Sequence, residues 1–204
     1  MTGTGKTIFA LWCLSRRSYD RMPWVVIDAK RDGAIAQIPR MEEIGVMDKP
    51  PKKKGIYVMR PMPGDFDDGY VTQWLYKIWE QERVGIYIDE GYMFKPLDRG
   101  LRTVLTQGRS KHLPVIALSQ RPAWISPFIH SESEFKTAFY LQNPADVAKI
   151  AEWFPRGYNN DILQKTQSWW YGMPKRELCL LGACPPLEAI LDDFDARIIR
   201  RSFI

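Results

Sequence analysis

The chain has 204 residues, 45% of them hydrophobic and 26% charged, enough for one domain with a sizeable core and unlike a disordered or low-complexity chain. No apolar run approaches the roughly 20 residues that cross a bilayer. Ile8 to Leu14 is followed by Ser15-Arg16-Arg17 rather than a small-residue cleavage site, which rejects a secretory signal. Three cysteines without C-x-x-C spacing and two histidines argue against a disulfide framework or a zinc site, and for a reducing, intracellular compartment. The net charge of +5 is uneven: residues 1–60 hold 12 Lys/Arg against 6 Asp/Glu, and the rest hold 17 against 18. Such a basic first part, with Lys52-Lys53-Lys54, suits a polyanionic partner or a phosphate site beside a solvated loop.

In chain order, residues 6–20 read as a helix. Trp24-Val25-Val26-Ile27 is a continuous apolar run, the mark of a strand buried on both faces. Residues 40–54 are a polar Pro/Lys loop, and Gly55 to Met59 a second strand. Asp67 or Asp68 is expected to cap a helix reaching Glu82, with Tyr70, Trp74, Leu75, Ile78 and Trp79 on one face. Val84 to Ile88 is the third strand, 97–110 a helix, Leu113 to Leu118 the fourth strand and Phe135 to Leu141 the fifth. A helix starts near Pro144 and ends around Trp153. Gln167 to Leu181, with a turn at Gly172-Met173-Pro174, reads as a hairpin at the sheet edge. Trp74, Trp79, Tyr76 and Tyr70 read as helix core rather than a base-stacking platform, and Met22, Met41, Met47, Met59 and Met62 as core filler. This alternation predicts an α/β fold, a mostly parallel sheet with helices on both faces. No repeat or linker divides 1–204, and 145–204 supply a C-terminal helix and the edge hairpin.

Gly3-Thr4-Gly5-Lys6-Thr7 is the second half of G-x-x-x-x-G-K-[ST]. Such a loop aims backbone N–H groups at nucleotide phosphates from a helix N-terminus; the lysine adds a charge and the threonine hydroxyl a ligand for Mg²⁺. Val84 to Ile88 runs into Asp89-Glu90, an apolar strand ending in two acids, the Walker B pattern. The aspartate suits Mg²⁺, and the adjacent glutamate suits polarisation of a water, hence hydrolysis rather than phosphoryl transfer to a metabolite. Ser119-Gln120-Arg121-Pro122 follows the fourth strand, where an amide at Gln120 can sense the terminal phosphate.

Asp28-Ala29-Lys30, Ile88-Asp89-Glu90 and Ser119-Gln120-Arg121-Pro122 together resemble the HerA–FtsK superfamily of P-loop ATPases, over roughly residues 1–145. The small size is similar to the dsDNA genome-packaging ATPases of tailless viruses. The resemblance implies a RecA-like (ASCE) fold and a homo-oligomeric ring, commonly a hexamer, that couples ATP hydrolysis to movement of double-stranded DNA. It also implies a capsid or portal-vertex partner, in host cytoplasm or at the packaging vertex. Carried over, Gly3, Thr4, Gly5, Lys6 and Thr7 bind phosphate, Thr7 and Asp89 the metal, Glu90 activates water and Gln120 is the sensor. Arg109 falls where FtsK-like proteins place an arginine acting on the neighbouring subunit, with Arg102 and Arg121 as substitutes.

Ala29 replaces a usual proline, and the pattern fades beyond Asn143. The tail Ile198-Ile199-Arg200-Arg201 reads as a basic terminus that contacts DNA or capsid, or frays. Lys95, Arg99 and Lys52 to Lys54 are candidate DNA contacts, because phosphates need only Lys/Arg. The loop's first glycine would fall one residue before Met1, so the fold is expected to lack its first strand. The reading frame upstream is then expected to encode an apolar strand ending in glycine. Two other functions stay open: an assembly or export ATPase like those of filamentous phages, and a nucleotide-dependent switch or scaffold without turnover.

Overall fold

The structure is a computed structural model describing residues 5–199, without the side chains of Ile198 and Ile199; Gly3, Thr4 and the basic tail lie outside the described residues. Strands β1 (Pro23–Asp28), β2 (Glu42–Glu43), β3 (Gly55–Met59), β4 (Gly85–Asp89) and β5 (Val115–Ala117) form one sheet in the order β2-β3-β1-β4-β5. Every pairing in it is parallel, as the sequence predicts. Helix α1 (Lys6–Ser15) precedes β1, α2 (Pro63–Asp67) and α3 (Tyr70–Gln81) link β3 to β4, and α4 (Arg99–Gln107) links β4 to β5.

Side-chain parity divides the core in two. Val25, Ile27, Ile86 and Ile88 face Val71, Trp74, Leu75 and Ile78 of α3 and Leu101 and Val104 of α4. Trp24, Val26 and Tyr87 face the other way, onto Ala10, Leu11 and Leu14 of α1. Both faces of the central strands are therefore covered, which is why they read as unbroken apolar runs. Gly85 is needed for this packing: a Cβ there would sit 2.1 Å from the Trp24 ring.

Several boundaries differ from the sequence reading. The first helix stops at Ser15, where the Arg17 N–H caps the Leu14 carbonyl at 2.9 Å. Gly69, in the left-handed region at φ 79°, starts α3 in place of Asp67 or Asp68, which belong to the preceding turn of helix. The buried face of α3 is Val71, Trp74, Leu75 and Ile78. Tyr70 is exposed, as are Met47 and Met62, so only part of the expected core filler is core. Met59 is fully buried. The polar loop at 40–54 contains β2, whose Glu42 and Glu43 pair with Lys53 and Arg60. Charged side chains of this kind are usual on an edge strand.

The largest correction concerns the last third. Strand β6 (Phe135–Phe139) does not extend the parallel sheet; it pairs antiparallel with β7 (Ser168–Gly172), which pairs with β8 (Glu177–Leu181). The hairpin thus completes a separate three-stranded sheet rather than edging the first. Helix α6 (Pro144–Ala151) packs on it through Ile150, with Ala138 and Phe154 in the same cluster. A cleft of about 1490 Å³, lined by Phe9, Cys13, Val115, Ala117, Phe135 and Phe139 among others, opens between β5 and β6. Helix α7 (Leu187–Ile199) returns to the first sheet, laying Ile190 and Phe194 against α1 and stacking Phe194 on Tyr19 at 5.9 Å. Two ion pairs flank this contact, Arg16–Asp193 at 3.0 Å and Arg40–Asp195 at 3.7 Å.

One buried histidine reports on the junction between the sheets. His130, in the short helix α5 (Pro127–Ser131), stacks on Trp153 at 5.2 Å, and burial lowers its pKa from 6.5. Below pH 6.5 the unfolded chain takes up a proton that the native ring resists, so this contribution to stability is complete above 6.5 and lost as pH falls. His130→Phe is expected to flatten the decline of Tm below pH 6.5, measured by circular dichroism melts across pH 5 to 8. An unchanged slope contradicts the assignment.

Candidate active site

Parity also builds the site. Asp89 follows Tyr87 by two positions and Asp28 follows Val26 by two, so both carboxylates emerge on the α1 face, directly paired in register. Both sit at the C-terminal edge of the parallel sheet, where open α/β sheets bind ligands. Gly5, at φ 88°, turns the chain into α1 as its N-cap, and Lys6 and Thr7 occupy the first turn. The N–H groups there have no helical partner and carry the positive end of the helix dipole.

Charge is dense at this edge. Asp89 is 5% exposed, and its pKa is raised to about 7 by burial and by the charges of Glu90, Asp32 and Asp28. Burial lowers the Lys6 pKa, opposed by the charge of Glu90 and reinforced by that of Lys30. Asp28 is held separately: its oxygens accept from the Asp32 N–H at 2.9 Å and from Arg60 Nε at 3.4 Å. Glu90 is 3% exposed and sits in the left-handed region at φ 61°, ψ 64°, which costs a non-glycine residue about 1–2 kcal/mol. Its Oε1 accepts from Lys30 Nζ and its Oε2 from the Gln120 N–H at 3.3 Å. The tips of β4 and β5 are joined again by the Gly91 N–H on the Leu118 carbonyl at 2.6 Å.

The structure therefore places Gly5, Lys6 and Thr7 at the start of α1, and Asp89, Glu90 and Gln120 at the tips of β4 and β5. Among the described residues no cluster of three His, Cys, Asp or Glu forms a ready metal cage. A hydroxyl at Thr7 and a carboxylate at Asp89 suit Mg²⁺, which takes one or two protein oxygens and completes its shell with water and substrate phosphates. A divalent cation would also relieve the repulsion that raises the Asp89 pKa.

Other residues fall elsewhere. Arg109 lies beyond α4, at the N-terminal end of β4 and β5, where the Arg83 N–H meets the Lys111 carbonyl. Strand β4, about 17 Å long at the usual rise, separates it from its own Glu90. It is 93% exposed and lies 3.6 Å from Glu134. Arg102 lies over the Phe128 ring at 5.9 Å. Arg121 stacks on Trp124 at 3.9 Å, and its Nε lies 3.1 Å from Asp146 without well-aligned hydrogen-bond geometry. The DNA candidates divide: Lys95 and Arg99 are exposed beyond β4, whereas Lys52, Lys53 and Lys54 are exposed at the opposite end, before β3. Sequence reasoning missed Lys30 as a site residue. Its Asp-x-Lys spacing after β1 was the available signal.

This arrangement of parallel sheet, loop-to-helix turn and paired acids is that of a P-loop nucleotide-binding protein, and solved structures share its fold. The genome packaging NTPase B204 of Sulfolobus turreted icosahedral virus 2, in complex with sulfate, aligns with a TM-score of 0.72 over 90% of this chain and 93% of that one, at 14% identity. Its complex with AMPPCP aligns at 0.67 over 90% and 94%, at 15% identity. In sequence, the DNA packaging ATPase P9 of Enterobacteria phage PRD1 is 36% identical over 203 residues, covering 95% of this chain and 88% of P9. The chain belongs to the family of that protein. No family model matches it.

Proposed function

We propose that the chain is a viral genome-packaging ATPase that hydrolyses ATP to move double-stranded DNA. The observation that carries this reading is the convergence of Lys6, Asp89 and Glu90 on one sheet edge at the N-terminus of α1. Membership of the P9 family supports it. Gly3 to Thr7 hold the phosphates, Thr7 and Asp89 hold Mg²⁺, Gln120 senses the terminal phosphate and Glu90 takes the proton of the attacking water. The bound metal supplies charge neutralisation of the phosphates; orientation and proton transfer fall to the side chains. The chain acts as one ATPase unit in a homo-oligomeric ring, a hexamer, docked on a capsid or portal-vertex protein. It works in host cytoplasm or at the packaging vertex. No described helix is long and apolar enough to cross a membrane.

The position of Arg109, remote from its own Glu90 and largely exposed, fits action on the neighbouring subunit. An arginine acting this way is worth on the order of 10³–10⁵ in rate. The test is steady-state ATP turnover of the full chain with and without double-stranded DNA. DNA-stimulated turnover is expected; tight ATP binding with no turnover in either condition favours the switch. Arg109→Ala and Lys6→Ala are each expected to be inactive, while a mixture recovers turnover in rings where an intact site meets an intact arginine. No recovery in mixed rings contradicts the trans role.

A further inference from the structure

Glu90 is held by two donors. One oxygen takes the Lys30 ammonium, the other takes the Gln120 N–H at 3.3 Å, and the side chain is almost wholly buried. A carboxylate acting as a base must take a proton from water, and an ammonium paired with it lowers its proton affinity, so Glu90 becomes the stronger base when that partner leaves. The Gln120 N–H belongs to backbone anchored behind β5. Lys30 ends a flexible side chain that is 38% exposed, with its ammonium 5.8 Å from the Tyr92 ring centroid. It is the partner able to move.

A destination for it lies nearby. Lys6 opens α1 and Lys30 stands two residues beyond the end of β1; the charge of Lys30 disfavours the Lys6 ammonium, and an anion between them would offset that. Lys6 stands in the first turn of α1, a helix end whose dipole also favours an anion. We propose that Lys30 is a positioning residue that exchanges partners: it holds Glu90 Oε1 until a terminal phosphate lies between it and Lys6. It then pairs with that phosphate and leaves Oε1 to accept a proton from water. This rests on the assignment of residues 5–7 to phosphate binding and Glu90 to proton transfer. One charge-assisted hydrogen bond replaces another, so the exchange needs no large net energy. A ligand shifts such an equilibrium only through its differential contacts; a diphosphate, lacking the terminal group, leaves Lys30 on Glu90. A pair serving structure alone would be indifferent to the number of phosphates.

The test is equilibrium binding without turnover. Dissociation constants of ADP and of the non-hydrolysable triphosphate AMPPCP, each with Mg²⁺, are measured by calorimetry on the full chain. The four proteins are the unaltered chain, K30M, E90Q and the double variant. K30M is expected to weaken AMPPCP about tenfold and to leave ADP within about twofold. E90Q, which weakens the competitor for Lys30, is expected to tighten AMPPCP, with that gain at least about fivefold smaller in the K30M background, within the coupling range of contacting residues. K30R should keep the preference for the triphosphate. Equal weakening of both nucleotides by K30M, or an E90Q gain independent of Lys30, overturns the proposal alone. Failure of the unaltered chain to bind either nucleotide removes the phosphate-site assignment, and this proposal with it.

Discussion

Glu90→Gln is expected to lower ATP turnover by about 10²–10⁴-fold, the contribution of a positioned general base, while nucleotide remains bound. The amide matches the carboxylate in shape but keeps one oxygen, which can serve Lys30 Nζ or the Gln120 N–H and not both. What it loses is the ability to accept a proton. The buried setting sharpens the effect: Glu90 is enclosed between the tips of β4 and β5, so bulk buffer is poorly placed to substitute. The measurement is a coupled ATPase assay on variants whose melting temperatures match the unaltered protein. Lys6→Ala gives the contrast, because removing the phosphate-facing cation should abolish binding as well as turnover. Full turnover in Glu90→Gln would transfer the base role elsewhere.

Trp74→Ala is expected to be the most damaging single change to the fold. The indole is fully buried in the cluster between α3 and the sheet, and its Nε1 donates to the Asp48 carbonyl at 3.0 Å. Truncating a buried tryptophan costs about 3–5 kcal/mol through lost contacts and the cavity left behind, against a total stability of roughly 5–15 kcal/mol. The lost hydrogen bond also frees the loop at 48 that lies across α3. At about 2–4 °C per kcal/mol for a chain of this size, Tm should fall by about 6–20 °C in a calorimetric melt. A fall below about 2 °C would mean that the cluster closes over the gap.

The parts of the site that chemistry ties to short spacings were legible in the sequence. Gly5-Lys6-Thr7 must open a helix and Asp89-Glu90 must end a buried strand, so both are local patterns, and β1, β3 and β4 announce themselves as apolar runs. What escaped was long-range. Nothing in Phe135-Lys136-Thr137-Ala138-Phe139 says whether it joins β5 or a hairpin thirty residues later; the ladder with β7 decides it. Lys30 and Glu90 are 60 positions apart, and only the adjacency of β1 and β4 makes them partners. Tyr70 and Val71 are neighbours on the helix, and the start at Gly69 turns Val71 inward and Tyr70 outward. Periodicity alone cannot set that phase.

The contact between α7 and α1 has a mechanical meaning. Helix α1 begins at Lys6; Ile190 of α7 shares a cluster with its Leu11 and Leu14, and the Tyr19–Phe194 stack and the Arg16–Asp193 pair fasten the segment just beyond its C-terminus. Well-packed interfaces transmit strain because they are stiff. Displacing α7 therefore disturbs the packing that holds α1 in place. The two helices are expected to shift together rather than independently.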